Sequence, residues 1–246
     1  MEHIKKPYEE FEEFLDVIRN KNRFFIPQKF LDIFDEIINQ CKELIKPGVE
    51  LYRCRIHNDN GRDEEPYKNE EIGIPPSNIL SVGRINPRGI NYLYTAGSKE
   101  TAIAEVRPNI GDYVSIGKFK TKKHLEVVKL DKDMSVVGYV GDESKMYIEF
   151  ICQFLFYFNV NSCKVIKESE KELEYLPTQI FAEYCKNKKL DGIMYPSSVS
   201  NANVLETDVN KPIQGYNYVF FSEEGLDYID SKKVEIKSIK YGYDNK

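Results

Sequence analysis

Apolar side chains recur at helical spacing in the first part of the chain. They stand three and four positions apart in residues 8–20 and again in 28–45, as in two amphipathic helices. Lys-Pro-Gly at 46–48 then interrupts the pattern, because proline cannot continue a helix and glycine tolerates the turn that follows. We therefore predict a helical segment at 1–48, too small to fold well alone, and a second domain at 49–246 on which it docks.

After this boundary the chain changes to short β-branched and aromatic runs separated by turn signals. These runs predict strands at 50–56, 79–85, 90–96, 113–119, 125–130, 191–196, 215–221 and 234–243. Apolar periodicity predicts two further helices, at about 143–158 and 177–188. Because strands and helices are interspersed without regular alternation, we expect the α+β class. The polar stretch 57–78 is longer than a usual connection and is a candidate lid.

Composition narrows the possible partners. The chain has 35 basic and 40 acidic residues and a net charge of -5, which lacks the positive field that binds nucleic acid. Its five cysteines are irregularly spaced and fit neither a disulfide framework nor a zinc site. No apolar run is long enough for a signal peptide or a membrane span. We therefore expect a cytoplasmic protein with reduced thiols, no membrane association and no nucleic-acid partner.

Several common catalytic motifs are missing from the sequence. It contains no GxxxxGK[ST], GxGxxG, HExxH, GxSxG or CxxC, so the usual parts for phosphoryl transfer, dinucleotide redox chemistry, zinc hydrolysis and serine hydrolysis are absent. Only three histidines occur, at positions 3, 57 and 124, and the first lies near the terminus. Histidine-based acid–base chemistry is therefore disfavoured. We predict no metal site.

The segment 83–108, GRINPRGINYLYTAGSKETAIAEVRP, contains the candidate chemistry. Asn-Pro-Arg-Gly at 86–89 predicts a turn between two strands, with Arg84 at its mouth. Strand alternation places Tyr94 on one face of the next strand, and Ser98 is suited to cap the helix that follows. Glu105 stands among small and apolar residues of that helix, where a carboxylate is costly to desolvate without a cation or several donors.

Each of these residues also has a structural interpretation. Glu105 could point to solvent or pair with a basic neighbour, since perturbed charges also occur in structural networks. Arg84 is similarly ambiguous, and a tyrosine such as Tyr94 is more often part of a core. The functional hypothesis depends on the three residues acting together.

The motifs GRINPRG, YLYTA and TAIAEVRP, followed downstream by DGIMYPSS and GYNYVFF, resemble the RES domain family. The resemblance covers about 49–223. It implies a fold similar to ADP-ribosyltransferases, with a mixed β-sheet core and flanking helices. It also implies a bacterial toxin that cleaves the nicotinamide–ribose bond of NAD, of a kind held in check by an antitoxin protein.

The resemblance assigns six site residues. Glu105 would stabilise positive charge on the ribose, Arg84 and Arg53 would bind the pyrophosphate, and Tyr94 would stack on nicotinamide or ribose. Ser197 and Asn217 would bind polar groups of the nicotinamide half. NAD is thus expected as a substrate, with no metal. The family's compact toxins lack the N-terminal helices and the long polar loop. The sequence also has an insertion at 199–213, and an arginine often found shortly after the serine is not apparent.

Three functions stay open. An NAD glycohydrolase or phosphorylase would use water or phosphate as acceptor, whereas a protein ADP-ribosyltransferase would use a protein side chain. Ile103, two residues before Glu105, offers no polar group to orient a protein acceptor and weakly favours a small one. A non-catalytic nucleotide-binding or interaction module is the third hypothesis. Plain turn formation is the alternative for Ser197. The sequence leaves open the acceptor, an antitoxin and a homo-oligomer.

Overall fold

The computed structural model describes residues 7–58, 61–76, 78–79, 82–130, 153–154, 156–157, 171–199 and 215–239. The helices are α1 (Pro7–Asp16), α2 (Gln28–Cys41), α3 (Lys99–Val106), α4 (Lys171–Glu174) and α5 (Leu176–Asn187), with a π-helical segment at Val17–Lys21 and a 3-10 turn at Asn69–Glu71. The strands are β1 (Lys42–Ile45), β2 (Glu50–Ile56), β3 (Leu93–Ala96), β4 (Tyr113–Thr121), β5 (Leu125–Lys129), β6 (Gly192–Pro196), β7 (Tyr216–Phe220) and β8 (Leu226–Glu235). Parallel and antiparallel strand pairs both occur, so the predicted α+β class with a mixed sheet, flanking helices and an N-terminal helical segment is confirmed.

The chain divides into two compact units. Unit 1 contains Met1–Leu44, Pro76–Asn91 and Glu126–Ser198, and unit 2 contains Ile45–Pro75, Tyr92–Leu125 and Val199–Lys246. The domain boundary between residues 48 and 49 stays a prediction from the sequence.

The strands of unit 2 lie in the order β7-β3-β2-β4-β8, and each strand pairs antiparallel with its neighbour. β2 pairs with β4 along its whole length, from Glu50 to Ile56. Among the described residues, β2 and β3 pair at a single position, where Tyr52 lies opposite Ala96. Regular pairing between β2 and β3 is therefore confined to this position, whereas β2 and β4 pair throughout.

One face of this sheet is covered by α3. Ala102 of the helix packs in a buried cluster with Cys54 of β2, Ala96 of β3 and Ile116 of β4. Ser98 caps the helix, because its Oγ accepts a 3.1 Å hydrogen bond from the Thr101 amide, as predicted from the sequence. The helix thus has a fixed start and a fixed apolar face.

The described part of the candidate lid, 57–78, is fastened to the sheet of unit 2. The His57 ring stacks on Tyr67 with centroids 4.2 Å apart, and the Tyr67 amide donates to Ser115 of β4 at 2.9 Å. Lys233 of β8 donates to the carbonyls of Gly61 and Arg62, each at 2.8 Å. The beginning of this segment is therefore anchored.

Unit 1 is built around aromatic side chains from its helices. Phe14 of α1 packs against Phe30 and Phe34 of α2, and Phe34 contacts Phe181 of α5 with ring centroids 5.1 Å apart. β5 and β6 form a parallel pair in the same unit. The N-terminal helices therefore dock on a later helix, as expected from their small size.

Three sequence predictions of secondary structure are wrong in detail. The second helix ends at Cys41, and Lys42–Ile45 is a strand. The described residues of 79–85 form no strand, and among the residues described up to 239 the last strand is Leu226–Glu235, eight residues earlier at its start than the predicted 234–243. Most of the helix predicted at 143–158 and the insertion at 199–213 lie outside the described residues. Among the described helices, none has the length and apolar character needed to cross a bilayer.

Candidate functional site

Glu105 lies on the last turn of α3, three residues after the buried Ala102. Asn217 of β7 donates a hydrogen bond from its side-chain amide to Glu105 Oε1 at 2.6 Å. Asn217 is buried and pairs across the sheet with Ala96 of β3. The structure thus brings together two predicted site residues, one from a helix and one from a strand.

Arg53 of β2 contacts the main chain of β3 at Tyr94. Arg53 Nη1 donates to the Tyr94 main-chain carbonyl at 3.0 Å. The Arg53 Nε atom is buried, and no acceptor for it occurs among the described residues. Burial, and secondarily the charge of Arg55, lowers the pKa of Arg53 to about 10. Arg53 is therefore a half-buried cation whose Nε atom is shielded from water, which still carries its charge at neutral pH and has unused hydrogen-bonding capacity.

Arg53 lies on the opposite face of the strands from the Glu105–Asn217 pair, whereas the side chain of Tyr94 lies on the same face as Ala96, two residues later. Cys54 of β2 belongs to the face covered by α3, and side chains alternate along a strand. Arg53 therefore projects from the opposite face, and its guanidinium reaches the main chain of β3 at Tyr94. Glu105 approaches from the α3 side. A shared cleft containing Glu105 and the guanidinium of Arg53 stays a prediction.

Arg84 and Ser197 belong to unit 1. Arg84 is half-buried in the segment before the Asn-Pro-Arg-Gly turn, and its Nε atom is buried with no acceptor among the described residues. The turn lies one residue later than predicted, at 87–90, since the Ile90 amide donates to the Pro87 carbonyl at 3.2 Å and Gly89, its third residue, has a positive φ of 85°. Ser197 follows β6 directly and is half-buried.

Sequence reasoning missed the side chains that hold the Arg84 segment. Gln179 of α5 donates from Nε2 to the carbonyls of Gly83 at 2.8 Å and Asn86 at 3.1 Å. The Thr178 hydroxyl is placed to donate to the Arg84 carbonyl. Two adjacent polar residues in the buried first turn of α5 were the available signal.

The sequence disfavours His57 as a catalytic residue, and in the structure its ring is held by hydrogen bonds and stacking within a structural cluster. Its Nε2 lies 2.7 Å from Ser115 Oγ and its Nδ1 lies 2.7 Å from Glu64 Oε2. This order of groups is that of a serine hydrolase triad. Ser115, however, is 0% exposed in the middle of β4, and its Oγ accepts the Tyr67 amide. A substrate has no access to it, so the cluster fastens the 57–67 segment.

A cleft of about 190 Å³ opens elsewhere in unit 2. Its lining is mixed apolar and charged and consists of Tyr52, Lys99, Ile116, Lys118, Asp230, Lys232 and Val234. None of the six predicted site residues lines it. Among the described residues, no three His, Cys, Asp or Glu side chains cluster as a metal site would require.

The sequence matches a known family over most of its length. The sequence model of the RES domain covers residues 50–236, which include all six predicted site residues. The chain belongs to the RES domain family. The resemblance inferred from the motifs is thereby confirmed. No curated protein matches the chain in sequence.

A solved structure resembles the RES protein at low sequence identity. It is a chain of the MbcT-MbcA toxin-antitoxin complex of M. tuberculosis, with 12% identity and a TM-score of 0.44. The similarity covers 83% of this chain and 93% of that chain.

Proposed function

We propose that this RES protein consumes NAD by cleaving its nicotinamide–ribose bond, and that it acts as a bacterial toxin or defence effector. The observation that carries the proposal is the 2.6 Å hydrogen bond from Asn217 to Glu105. It joins two residues, 112 positions apart, that family resemblance had selected independently as site residues. A carboxylate fixed in this way is suited to electrostatic catalysis, which requires preorganised groups.

The reaction requires little from the protein beyond charge and position. The bond between ribose C1′ and the nicotinamide nitrogen breaks, and its electron pair goes to the cationic ring, which leaves as a neutral base. Positive charge develops on the ribose, as in the oxocarbenium-like transition state of glycoside hydrolysis. The Glu105 carboxylate stabilises that charge, and the Asn217 amide holds the carboxylate in place. An oxygen of water or phosphate then bonds to C1′, and the proton of water passes to solvent.

The remaining site residues bind the rest of NAD. Arg53 and Arg84 bind the pyrophosphate, because a guanidinium matches phosphate oxygens in pairs. Support comes from the buried Nε atom of each, which finds no acceptor among the described residues. A buried donor without an acceptor is costly unless a ligand supplies one. Tyr94 stacks on nicotinamide or ribose, and Ser197 hydrogen-bonds the nicotinamide half.

Incubation of the purified protein with NAD tests the proposal directly. Nicotinamide and ADP-ribose are expected in buffer without phosphate, and a phosphate ester of ADP-ribose appears if phosphate is the acceptor. Glu105→Gln should lower turnover by about 100-fold or more, the scale of losing one electrostatic stabiliser. Glu100→Gln, an exposed change on the same helix, is the matched control and should retain wild-type turnover. Nicotinamide release at the wild-type rate by Glu105→Gln would exclude the mechanism.

The same incubation separates the alternative functions. ADP-ribose attached to lysate proteins, detected by mass spectrometry, would identify a protein ADP-ribosyltransferase. Tight NAD binding in a calorimeter without any product would identify a non-catalytic module. An antitoxin partner, self-association and a cytoplasmic location stay predictions from the sequence.

A further inference from the structure

We infer that Gln179, assisted by Thr178, is a positioning residue that sets the affinity for NAD by holding Arg84. This inference deepens the proposed function, on which it rests, because Arg84 is there a ligand of the pyrophosphate. All the contacts that carry it lie within unit 1.

Side chains of α5 capture three carbonyls of the segment 83–86. Gln179 Nε2 donates to the carbonyl preceding Arg84, that of Gly83, and to the carbonyl of Asn86. The Thr178 hydroxyl is placed to donate to the carbonyl of Arg84 itself, in competition with the Tyr175 carbonyl at 2.8 Å. The segment also closes on itself, because the Gly83 amide donates to the Asn86 carbonyl at 3.1 Å. Arg84 therefore sits in a short arch whose backbone is fixed on both sides.

Gln179 and Thr178 are suited to this task by their position and chemistry. α5 begins at Leu176-Pro177, so both side chains lie in its first turn. They are 6% and 5% exposed, respectively. A buried amide needs partners for both of its N–H groups, and two carbonyls provide them. Such bonds are short, directional and shielded from water, so they hold the backbone firmly.

A fixed backbone matters because Arg84 lies outside any helix or strand. Segments of this kind are usually mobile, and ordering one on binding costs affinity. The hydrogen bonds from α5 fix the arch before the ligand arrives. The guanidinium, with its Nε buried and without an acceptor among the described residues, is then already directed for an anion. Support of a binding residue by neighbours that never touch the ligand is a general requirement of precise sites.

Gln179→Glu tests the inference with almost no change in shape. A carboxylate only accepts hydrogen bonds, so it would repel the two carbonyls and release the arch. Contacts with the pyrophosphate stabilise bound NAD equally in the ground state and in the transition state. Their loss therefore raises KM and leaves kcat unchanged. We expect KM for NAD to rise about tenfold, with kcat within about twofold of wild type. Thr178→Val, which removes one hydroxyl donor at constant shape, should raise KM by about threefold.

A double-mutant cycle with Arg84→Ala distinguishes positioning from a general loss of structure. If Gln179 acts through Arg84, adding Gln179→Glu to Arg84→Ala raises KM by less than about twofold, because the two effects are not additive. Gln28→Glu, the same chemical change at an exposed site of unit 1, is the control and should leave KM unchanged. Additive effects of Gln179→Glu and Arg84→Ala would overturn the inference. Thr178→Val keeps it testable if Gln179→Glu does not fold.

The outcomes for the inference and for the proposed function can be told apart. Cleavage of NAD with unchanged KM in Gln179→Glu and Thr178→Val overturns the positioning role alone. If the wild-type protein binds NAD without cleaving it, and Gln179→Glu weakens that binding in calorimetry, the positioning role stands and the proposed reaction fails. A wild-type protein that neither cleaves nor binds NAD overturns both.

Discussion

The side-chain amide of Asn217 donates to Glu105 Oε1 at 2.6 Å, so one carboxylate oxygen has a fixed direction. Asn217 lies on β7 in register with Ala96 of β3, and Glu105 lies on α3, which packs against the same face. The hydrogen bond therefore ties the orientation of the acid to the sheet.

Substitution of Asn217 should lower turnover according to the charge that it introduces. Asn217→Ala removes the donor and should lower kcat by about tenfold. Asn217→Asp has the same shape but places a second negative charge beside Glu105, and we expect a loss of about 100-fold. Nicotinamide release, followed by chromatography, measures both. Equal activity of the Ala and Asp variants would contradict a role for this hydrogen bond in holding the carboxylate.

Arg53 is predicted to lower the stability of the fold while supporting ligand binding. Burial lowers its pKa to about 10, so at neutral pH the folded state holds a desolvated charge. Below that pKa the charge disfavours folding, and the penalty is relieved only as pH rises through about 10. Arg53→Met should therefore leave the free energy of unfolding unchanged or raise it by about 1–3 kcal/mol, and should abolish NAD binding.

Urea denaturation and calorimetry check these two effects on the same preparation. Arg53→Lys is an informative companion, because a buried lysine starts from a lower pKa and loses its charge nearer to neutral pH. NAD affinity of that variant should fall as pH rises from 6 to 9, over a range in which the wild type changes little. A marked loss of stability in Arg53→Met would show that Arg53 is mainly a structural residue.

Gly117 of β4 lies directly opposite Arg53 of β2 and provides a test of the packing beside it. A Cβ atom at this position would lie 2.6 Å from Cγ1 of the buried Ile72, which is too close for any ordinary contact. Gly117→Ala should therefore destabilise the fold by about 1–3 kcal/mol. Adding Ile72→Ala, which removes the obstructing atoms, should recover part of that loss in urea denaturation. Simple additivity of the two substitutions would show that the strain is relieved elsewhere.

The buried cysteines should resist alkylation. Burial raises the pKa of the Cys54 thiol to about 12, and burial likewise raises the pKa of Cys185. Because the thiolate is the reactive form, both should react with iodoacetamide very slowly at pH 8 in the native protein and rapidly in urea. Peptide mass spectrometry distinguishes the sites. Rapid native labelling of Cys54 would indicate that the α3 face of the sheet opens readily.

Much of the fold could be predicted because its elements have local patterns. The strand at Glu50–Ile56 matches the sequence prediction at both ends, and Ser98 caps α3 as its position suggested. The helix predicted at 28–45 ends at Cys41, because Lys42–Ile45 forms a strand beside β5. The two strands are about 80 residues apart in sequence, and Lys42 forms an ion pair with Glu126 of β5. Helical periodicity contains no information about such a partner.

Two other errors have similar physical causes. The apolar run at 79–85 looked like a strand, but carbonyls of 83–86 bond to side chains of α5 instead of to another strand. The strand Leu226–Glu235 was missed because its many charged residues hide the alternation. It stands at the end of the strand order, pairing with β4, and charged residues are common on such strands.

In the candidate site too, residues could be predicted from the sequence but their long-range contacts could not. Glu105 and Asn217 could be selected from family motifs, but the hydrogen bond between them is visible only in the structure. The carbonyl contacts of Gln179 could not, because two adjacent polar residues in the first turn of a helix do not indicate which backbone they will bond.

The solvent-shielded Nε of Arg53 has one more consequence. Dehydrating a guanidinium is normally part of the cost of forming a complex, but here folding has already done it. An anion that binds Arg53 would therefore meet a cation with no water to displace at its Nε atom. The bound anion would supply the acceptor that Arg53 Nε lacks in the free protein. Anion binding should therefore raise the melting temperature of the fold.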